Sequence, residues 1–441
     1  MARLDVRMSI SKGVSTTNIT PTWAERMVLR RWYAISGDRP DLELQPTAAG
    51  TRYLVDTDPA RDPRLNSPRT LEERMRRALG REPESPWRGA AGFSAITEAW
   101  NSAAYASKYR RSGSMILFGG GHNDYFGSSV HAFDLAAREW RRLADGFVSG
   151  READYGEGAV YPDAVYPDGS PLPPHTYDYV QYDARGNDYI LFKGQTELGR
   201  NVKAIAIPHL FNLETLEWRH GPRHPTAKLN SGGWTTWDAS RRVIWGHSGD
   251  DGGGNAFIGY CPDDRNADGT FGRWTERYPN KLPGIANHNA MQIDPLRDLI
   301  IVSVHARDAL YAIDPAEPGR EIVRVESHGS KPVLRPCAAL EYAPNLECLV
   351  YFSPLDRGRI YRIAALDGRS SRDKLSRKWT WQPYQPPDDT LDPIADAARR
   401  SRYPANLAQT FGRFRIASYG AMDVAILVRH VDSPVYAMRL T

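Results

Sequence analysis

The sequence predicts an all-β protein, a β-propeller with six blades, and three observations support this prediction. One pattern recurs six times along the 441 residues: a short strand, a turn, an apolar strand, a loop and an aromatic-rich strand. The chain is rich in turn-forming residues, with 37 glycines and 32 prolines. The last copy lacks its outer strand, and a segment near the N-terminus can supply it. Repeats at a fixed spacing are the sequence signature of such folds.

The apolar second strand is the clearest part of each repeat. Each is preceded by a turn rich in Asp, Asn, Gly or Pro, such as DARGND at 183–188, which accepts hairpin geometry. Their shortness and β-branched content favour buried strands over helices. The second strands are Met115–Phe118, Tyr189–Phe192, Val243–Trp245, Leu299–Val302, Cys348–Tyr351 and Val424–Leu427.

Third strands follow each loop, and several are closed a few residues later by a tryptophan. The third strands are Val130–Leu135, Ala204–Pro208 with its continuation, Ala256–Tyr260, Ala309–Ile313, Arg359–Ile363 and Pro434–Leu440. The closing tryptophans are Trp140, Trp218, Trp274 and Trp379.

The segment Arg30–Ser36 (RRWYAIS) resembles the fourth strand of a blade, with Trp32 in the place that Trp140 has in the first repeat. We expect it to complete the last blade, because this closure ties the ring together and removes free sheet edges. A seventh blade within residues 37–95 remains an alternative.

We expect one propeller domain over residues 29–441, preceded by an arm over residues 1–28. Long excursions interrupt it at 37–95, with a helical stretch at Thr70–Leu79, and at 143–173 and 385–405. Loops of this length are functional or disordered in most proteins.

Composition narrows the class of protein. A net charge of +4 does not point to nucleic acid, and the sequence lacks the long apolar run that would span a membrane. No signal peptide is visible, which leaves the cytoplasm, a virion, or secretion with the leader removed. Cys261, Cys337 and Cys348 fit no metal spacing and are predicted to be free thiols, with a single Cys337–Cys348 bridge as the alternative.

One repeat carries a family resemblance. The segment FGGGHNDYFGSSVHAFDLAAREWRRL at 118–143 has a glycine run, an aromatic-Asp step and a tryptophan, as kelch repeats do. The chain therefore resembles kelch-type propellers over residues 100–441, closely in this blade and loosely elsewhere. Kelch-like propellers include protein-interaction platforms and polysaccharide lyases such as ulvan lyases and a rhamnosyl-glucuronate lyase. The chain is similar to the lyases in fold and in residue types.

Alignment of the repeats places many histidines at one end of the propeller. The start of a first strand lies beside the end of the antiparallel second strand. Six of the eleven histidines share this end: His122, His175, His247, His288, His305 and His430. A single histidine there often only caps a carbonyl or packs under a loop. The convergence of residues from several blades is what favours a function.

Such a face suits proton transfer on a sugar, and the resemblance implies lyase chemistry on a uronate-containing glycan. A cation must neutralise the uronate carboxylate while a base removes the neighbouring proton. We assign proton transfer to His122, His175 and Tyr177. Alternation along HTYDY places His175 and Tyr177 on one side of the strand and Asp178 on the other. Predicted substrate-binding residues are Arg413, Lys193, His288, Trp234, Tyr125, His247 and His305.

Other interpretations remain open. The face could bind an acidic or neutral polysaccharide without catalysis, or belong to a virion module such as a phage tail or fibre protein, with protein neighbours at the N-terminal arm. A protein-interaction platform is a third reading. A hydrolase would need a carboxylate pair, and no spacing selects one among Asp124, Asp178 and Asp250. No cofactor is predicted, although calcium at Asp250 and Asp251 or zinc at the rim histidines is an alternative.

Overall fold

The architecture is described from a computed structural model. The described residues are 18–36, 96–97, 100–120, 127–144, 158–198, 204–249, 257–275, 287–318, 322–366, 373–384, 390–400, 410–429 and 433–441, with isolated positions at 146–147, 149, 151, 154 and 386–387.

Within these residues six small, mainly antiparallel sheets form the six blades that the repeats predict, and one further two-stranded sheet lies beside them. Blade one consists of β2 (Ala103–Ala106), β3 (Ser114–Leu117), β4 (Val130–Asp134) and β5 (Glu139–Ala144). Blade two consists of β6 (Val180–Asp183), β7 (Asp188–Leu191), β10 (His209–Asn212) and β11 (Glu217–His220). Blade three consists of β12 (Trp234–Asp238), β13 (Val243–His247), β14 (Phe257–Arg265) and β15 (Phe271–Trp274).

The other three blades follow the same plan. Blade four consists of β16 (Ala290–Asp294), β17 (Leu299–Val304), β18 (Ala309–Ile313) and β19 (Val323–Arg324). Blade five consists of β21 (Ala339–Ala343), β22 (Cys348–Phe352), β23 (Ile360–Ala365) and β24 (Lys378–Tyr384), with β20 (Glu326–Gly329) added in parallel at its outer edge. Blade six consists of β25 (Phe414–Tyr419), β26 (Met422–Val428), β27 (Val435–Arg439) and β1 (Trp32–Ala34).

The ring closes on itself after six blades. Each blade's first strand contacts the first strand of the next blade, and β25 of blade six contacts β2 of blade one. We call the end of the ring where these inner strands begin the mouth, and the opposite end the base. Every second strand that the sequence predicts is present, and each is almost wholly buried.

The predicted N-terminal closure is confirmed. Trp32 pairs with Met438 and Ala34 with Tyr436, so β1 is the outer strand of blade six. The Trp32 indole also donates to the Gly358 carbonyl at 2.8 Å, which links the closing strand to blade five. Within the described part of the arm, Trp23 is buried and donates to the Leu135 carbonyl at 2.6 Å.

One predicted strand is wrong in its bounds. The third strand of blade two is His209–Asn212, and the Ala204–Ile205 segment is a separate strand, β9, paired with β8 (Gly194–Gln195). Pro208 has no N–H to donate to a sheet, so the chain changes partners before the blade resumes at His209.

The described part of the 143–173 excursion packs on this β8–β9 hairpin, with backbone hydrogen bonds from Tyr161 to Thr196 and from Leu198 to Ala159. In the described part of the chain, helices α1 (Thr22–Glu25) and α2 (Pro393–Arg400) lie outside the blades, the second within the predicted excursion 385–405. The excursion at 37–95, with the Thr70–Leu79 helix, lies outside the described residues. All three cysteines are free thiols, as predicted.

The base is a ring of linked turns. Asp183, Asp238 and Asp294 end three inner strands, and each carboxylate accepts the backbone N–H groups two and three residues on. Hydrogen bonds then join each blade to the next around the whole ring. They link Lys108 with Tyr182, Arg242 with Asp183, Arg241 with Asp298, Arg297 with Glu347, Asn345 with Asp423 and Tyr419 with Ser112.

Candidate functional site

The mouth is built by unusual backbone at the start of the inner strands. In five consecutive blades a residue there has a positive φ: Tyr177 (45°), Gly232 (67°), His288 (68°), Cys337 (58°) and Phe411 (43°). Backbone hydrogen bonds run between these positions from blade to blade, from Tyr177 to Trp100, His288 to Gly232, and Cys337 to His288, at 2.7–2.8 Å. A left-handed conformation is rare for bulky residues, so this arrangement must be held by its surroundings.

As a result, the side-chain rings of Tyr177, His288 and Phe411 meet over the axis of the propeller. The centroids of Tyr177 and His288 are 5.6 Å apart, those of Tyr177 and Phe411 6.0 Å, and those of His288 and Phe411 5.2 Å. These residues belong to blades two, four and six, which are not neighbours, so their mutual contact places them at the centre of the mouth. The equivalent residues of blades three and five, Gly232 and Cys337, carry no ring. We call Tyr177, His288 and Phe411 the axial triad.

Two predicted residues adjoin the triad. His175 lies edge-on to Tyr177, with ring centroids 5.9 Å apart, and contacts Trp100 at 4.7 Å. The Lys193 ammonium is 4.9 Å from the centroid of the Tyr177 ring, within the range of a cation–π contact. The structure therefore brings His175, Tyr177, His288 and Lys193 into one cluster. Tyr177 is 5% exposed, Lys193 4% and His175 2%, so this cluster is largely buried.

Arg413 lies at the same end but is already engaged. Its buried guanidinium donates to the Asn101 and Val428 carbonyls, which join blade six to the chain entering blade one. Asn101 in turn follows Trp100, the residue that contacts His175. Through Asn101, Arg413 thus helps to hold Trp100 against His175 of the cluster.

The predicted residues of blades three and four form a neighbouring group. Trp234 and His247 are opposite one another in the sheet and stack, with centroids 5.2 Å apart and an interplanar angle of 7°. His305 donates to the Asn287 carbonyl at 2.9 Å, beside His288. Burial lowers the pKa of His247 to about 4. Burial and the nearby His305 lower the pKa of His288 to about 4. Both rings are therefore neutral at pH 7.

A second tier that the sequence did not single out lies behind the triad. Arg415, on the inner strand of blade six, donates to the Asp178 carboxylate of blade two at 2.8 Å and to the Glu341 carboxylate of blade five at 2.5 Å. Burial raises the pKa of Glu341 to about 7 despite the guanidinium, and burial also raises the pKa of Asp178. Alternation in FGRFR and AALEY could have indicated inward-facing Arg415 and Glu341, but not that they meet.

Several predicted residues lie outside the described residues: His122, Tyr125, Asp124, His430, Asp250 and Asp251. Their proposed roles remain predictions. Among the residues that the structure does describe, no three His, Cys, Asp or Glu side chains are grouped so that they could hold a metal ion.

Comparison with known proteins adds little. No family model matches the chain, and no curated protein matches it. A solved structure, the crystal structure of a nidogen/laminin complex, is similar to 65% of this chain and 85% of its own, with 11% identity and a TM-score of 0.34. A likeness this weak carries no argument about function. The helices in the described residues are all too short or too polar to cross a membrane.

Proposed function

We propose that the protein acts on a carbohydrate at the mouth, and that it cleaves a uronate-containing polysaccharide by β-elimination. The observation that supports this most is the cluster of Tyr177, His175, His288 and Lys193, which joins a phenol, two imidazoles and a cation. A propeller can serve as a binding module, and aromatic faces with a few polar groups are what sugar rings bind.

Each group has a place in the elimination. Lys193 would neutralise the uronate carboxylate, which makes the proton on the adjacent carbon easier to remove. One of His175 and Tyr177 would take that proton, the carbon–oxygen bond to the next sugar would break, and a double bond would form. The other group, or His122, would protonate the departing oxygen. No cofactor is required by this scheme.

Ultraviolet absorbance of the unsaturated product tests the proposal. We expect the purified protein to generate this absorbance from at least one polymer in a panel of uronate polysaccharides. Tyr177→Phe should lower kcat/KM by about 100-fold or more, since a positioned proton-transfer group contributes roughly 100- to 10,000-fold. Tyr311→Phe, a buried tyrosine on β18 away from the mouth, is the matched control and should keep activity.

If no polymer in the panel gives product but one binds, and Tyr177→Ala abolishes that binding, the mouth is a glycan-binding site without catalysis. If none is cleaved and none is bound, the carbohydrate proposal is wrong and the interaction-module reading takes its place.

A further inference from the structure

Asp178, at the start of the inner strand of blade two, is held in one place by its hydrogen bonds. One carboxylate oxygen accepts hydrogen bonds from Arg415 at 2.8 Å and from the Ser102 hydroxyl at 3.2 Å. The Ser102 backbone N–H also donates to the Thr176 hydroxyl at 2.8 Å, so Thr176 and Asp178 contact the same residue of blade one.

Arg415 is itself fixed from several blades. Its guanidinium donates to the Ala103 carbonyl of blade one at 2.8 Å and to Glu341 of blade five at 2.5 Å. A side chain held by charge-assisted bonds and carbonyls at the same time has little freedom to move. Arg415 is therefore a rigid anchor for Asp178.

The backbone around Asp178 passes this rigidity to Tyr177. The Tyr177 N–H donates to the Trp100 carbonyl at 2.7 Å, and the Thr235 hydroxyl donates to the Asp178 carbonyl at 2.7 Å. Tyr177 itself has a φ of 45°, a conformation that is energetically unfavourable for a bulky residue. Such a conformation persists only where neighbouring contacts leave no alternative.

Gly412 gives a separate sign that space is reserved for this ion pair. A Cβ atom at Gly412 would lie 2.1 Å from the Asp178 carboxylate and 2.7 Å from the Arg415 guanidinium. The absence of a side chain at this position, directly after Phe411 of the axial triad, is what allows Asp178 and Arg415 to meet.

We propose that Asp178, anchored by Arg415, is a positioning residue that holds the Tyr177 ring in the axial triad. Its importance for a ligand rests on the function proposed above, but the positioning itself can be tested without any ligand. Asp178→Asn removes the charge that pairs with Arg415, and so weakens the anchor at the residue that directly follows Tyr177. Glu341→Gln is the matched control, because it removes a carboxylate from the same guanidinium on a distant strand.

The test is ¹⁹F NMR of the full chain labelled with 3-fluorotyrosine, with the Tyr177 resonance assigned by its loss in Tyr177→Phe. We expect Asp178→Asn to shift or split the Tyr177 resonance and Glu341→Gln to leave it in place. An unchanged resonance in folded Asp178→Asn, or equal shifts in both variants, would overturn the proposal.

If Asp178→Asn does not fold, Ser102→Ala removes only a hydroxyl that donates to the same oxygen. It should move the same resonance by a smaller amount, and an unchanged resonance would again count against positioning. Where wild-type activity is found, Asp178→Asn should lower kcat more than it raises KM, by roughly 10- to 100-fold for a displaced catalytic group. Absence of all activity would defeat the proposed function and leave the NMR result standing.

Discussion

Residues at the mouth combine an energetically unfavourable backbone conformation with large side chains. Glycine adopts positive φ freely, yet the positions at the starts of blades two, four, five and six are Tyr177, His288, Cys337 and Phe411. The left-handed conformation turns the side chains of Tyr177, His288 and Phe411 toward the axis, where they contact one another. Strain of this kind is found at functional sites, where the geometry of a few side chains matters more than local stability.

Glu341 gives a prediction about pH. Because burial raises its folded pKa from 4.5 to about 7, the native state binds a proton that the unfolded state releases between those values. The stability from this group is therefore complete below about pH 4.5 and is lost as the pH rises through 7. Arg415 and Asp178 are the charged groups that face it.

We expect Glu341→Gln to remove the loss of stability that ionisation of Glu341 causes. The free energy of unfolding of the variant, relative to that of wild type, should therefore increase by about 2 kcal/mol between pH 5 and pH 8. Urea unfolding at the two pH values measures this change. Glu214→Gln, at an exposed position on the outer hairpin of blade two, is the control and should follow the wild-type profile. A constant difference between Glu341→Gln and wild type across the range would show that Glu341 does not titrate there.

At this scale the sequence pointed to individual residues of the mouth rather than to their geometry. Alternation along HTYDY was expected to separate Tyr177 from Asp178. However, these residues precede β6 and form a turn in which the Tyr179 N–H donates to the Thr176 carbonyl, so strand periodicity does not apply to them. The Asp178–Arg415–Glu341 tier could not be found in this way. Its members come from blades two, five and six, and which blades face one another depends on the number of blades and on the ring closure.

The hairpin is the element that the sequence predicts best. Turns such as DARGND and DPLRD place an Asp at the end of one strand and a left-handed residue before the next, Asn187 and Asp298 respectively. These local interactions determine the register, so the second strands are found where expected. The error at 204–208 has the opposite cause, because a short apolar run has no local feature that selects its partner strand.

The start of β25 provides a test at the scale of an element. Gly412→Ala would bring a methyl group onto the Asp178–Arg415 pair at a φ of +73°, and we expect a loss of about 2–4 kcal/mol, within the range for overpacking with backbone strain. Gly420→Ala, in the turn at the other end of the same strand, meets no atom within 4 Å. Its φ of +59° alone should cost about 1 kcal/mol. Equal losses in chemical denaturation would mean that space around Asp178 is not limiting.

At the scale of the whole molecule, six repeats and one displaced strand were enough to predict a closed propeller. The distances within the mouth were not predictable, since they depend on how six inner strands pack around one axis. The linked turns of the base and the strained residues of the mouth give the ring two different ends. Binding is expected at the strained end, because the base is occupied by its own ion pairs.

The closing strand can be tested through Trp32. Trp32→Ala should cost about 3–5 kcal/mol, as for other large buried aromatic residues, and should weaken β1. We expect amide hydrogen exchange to increase along Val435–Arg439, the strand that β1 covers. Trp379→Ala removes an equally buried tryptophan from blade five and should instead increase exchange in β23 and β24. Identical exchange patterns would contradict a separate role for the closing strand.

The pairing of Trp32 with Met438 also constrains when the propeller can close during synthesis on the ribosome. The two partners are separated by roughly 400 residues, which take about 20–80 s to synthesise at 5–20 residues per second. During that interval β1 emerges with two aromatic residues and no partner strand, while blade after blade forms behind it. Nascent chains therefore carry an unsatisfied strand for most of their synthesis, and the final step of folding waits until β27 has left the exit tunnel.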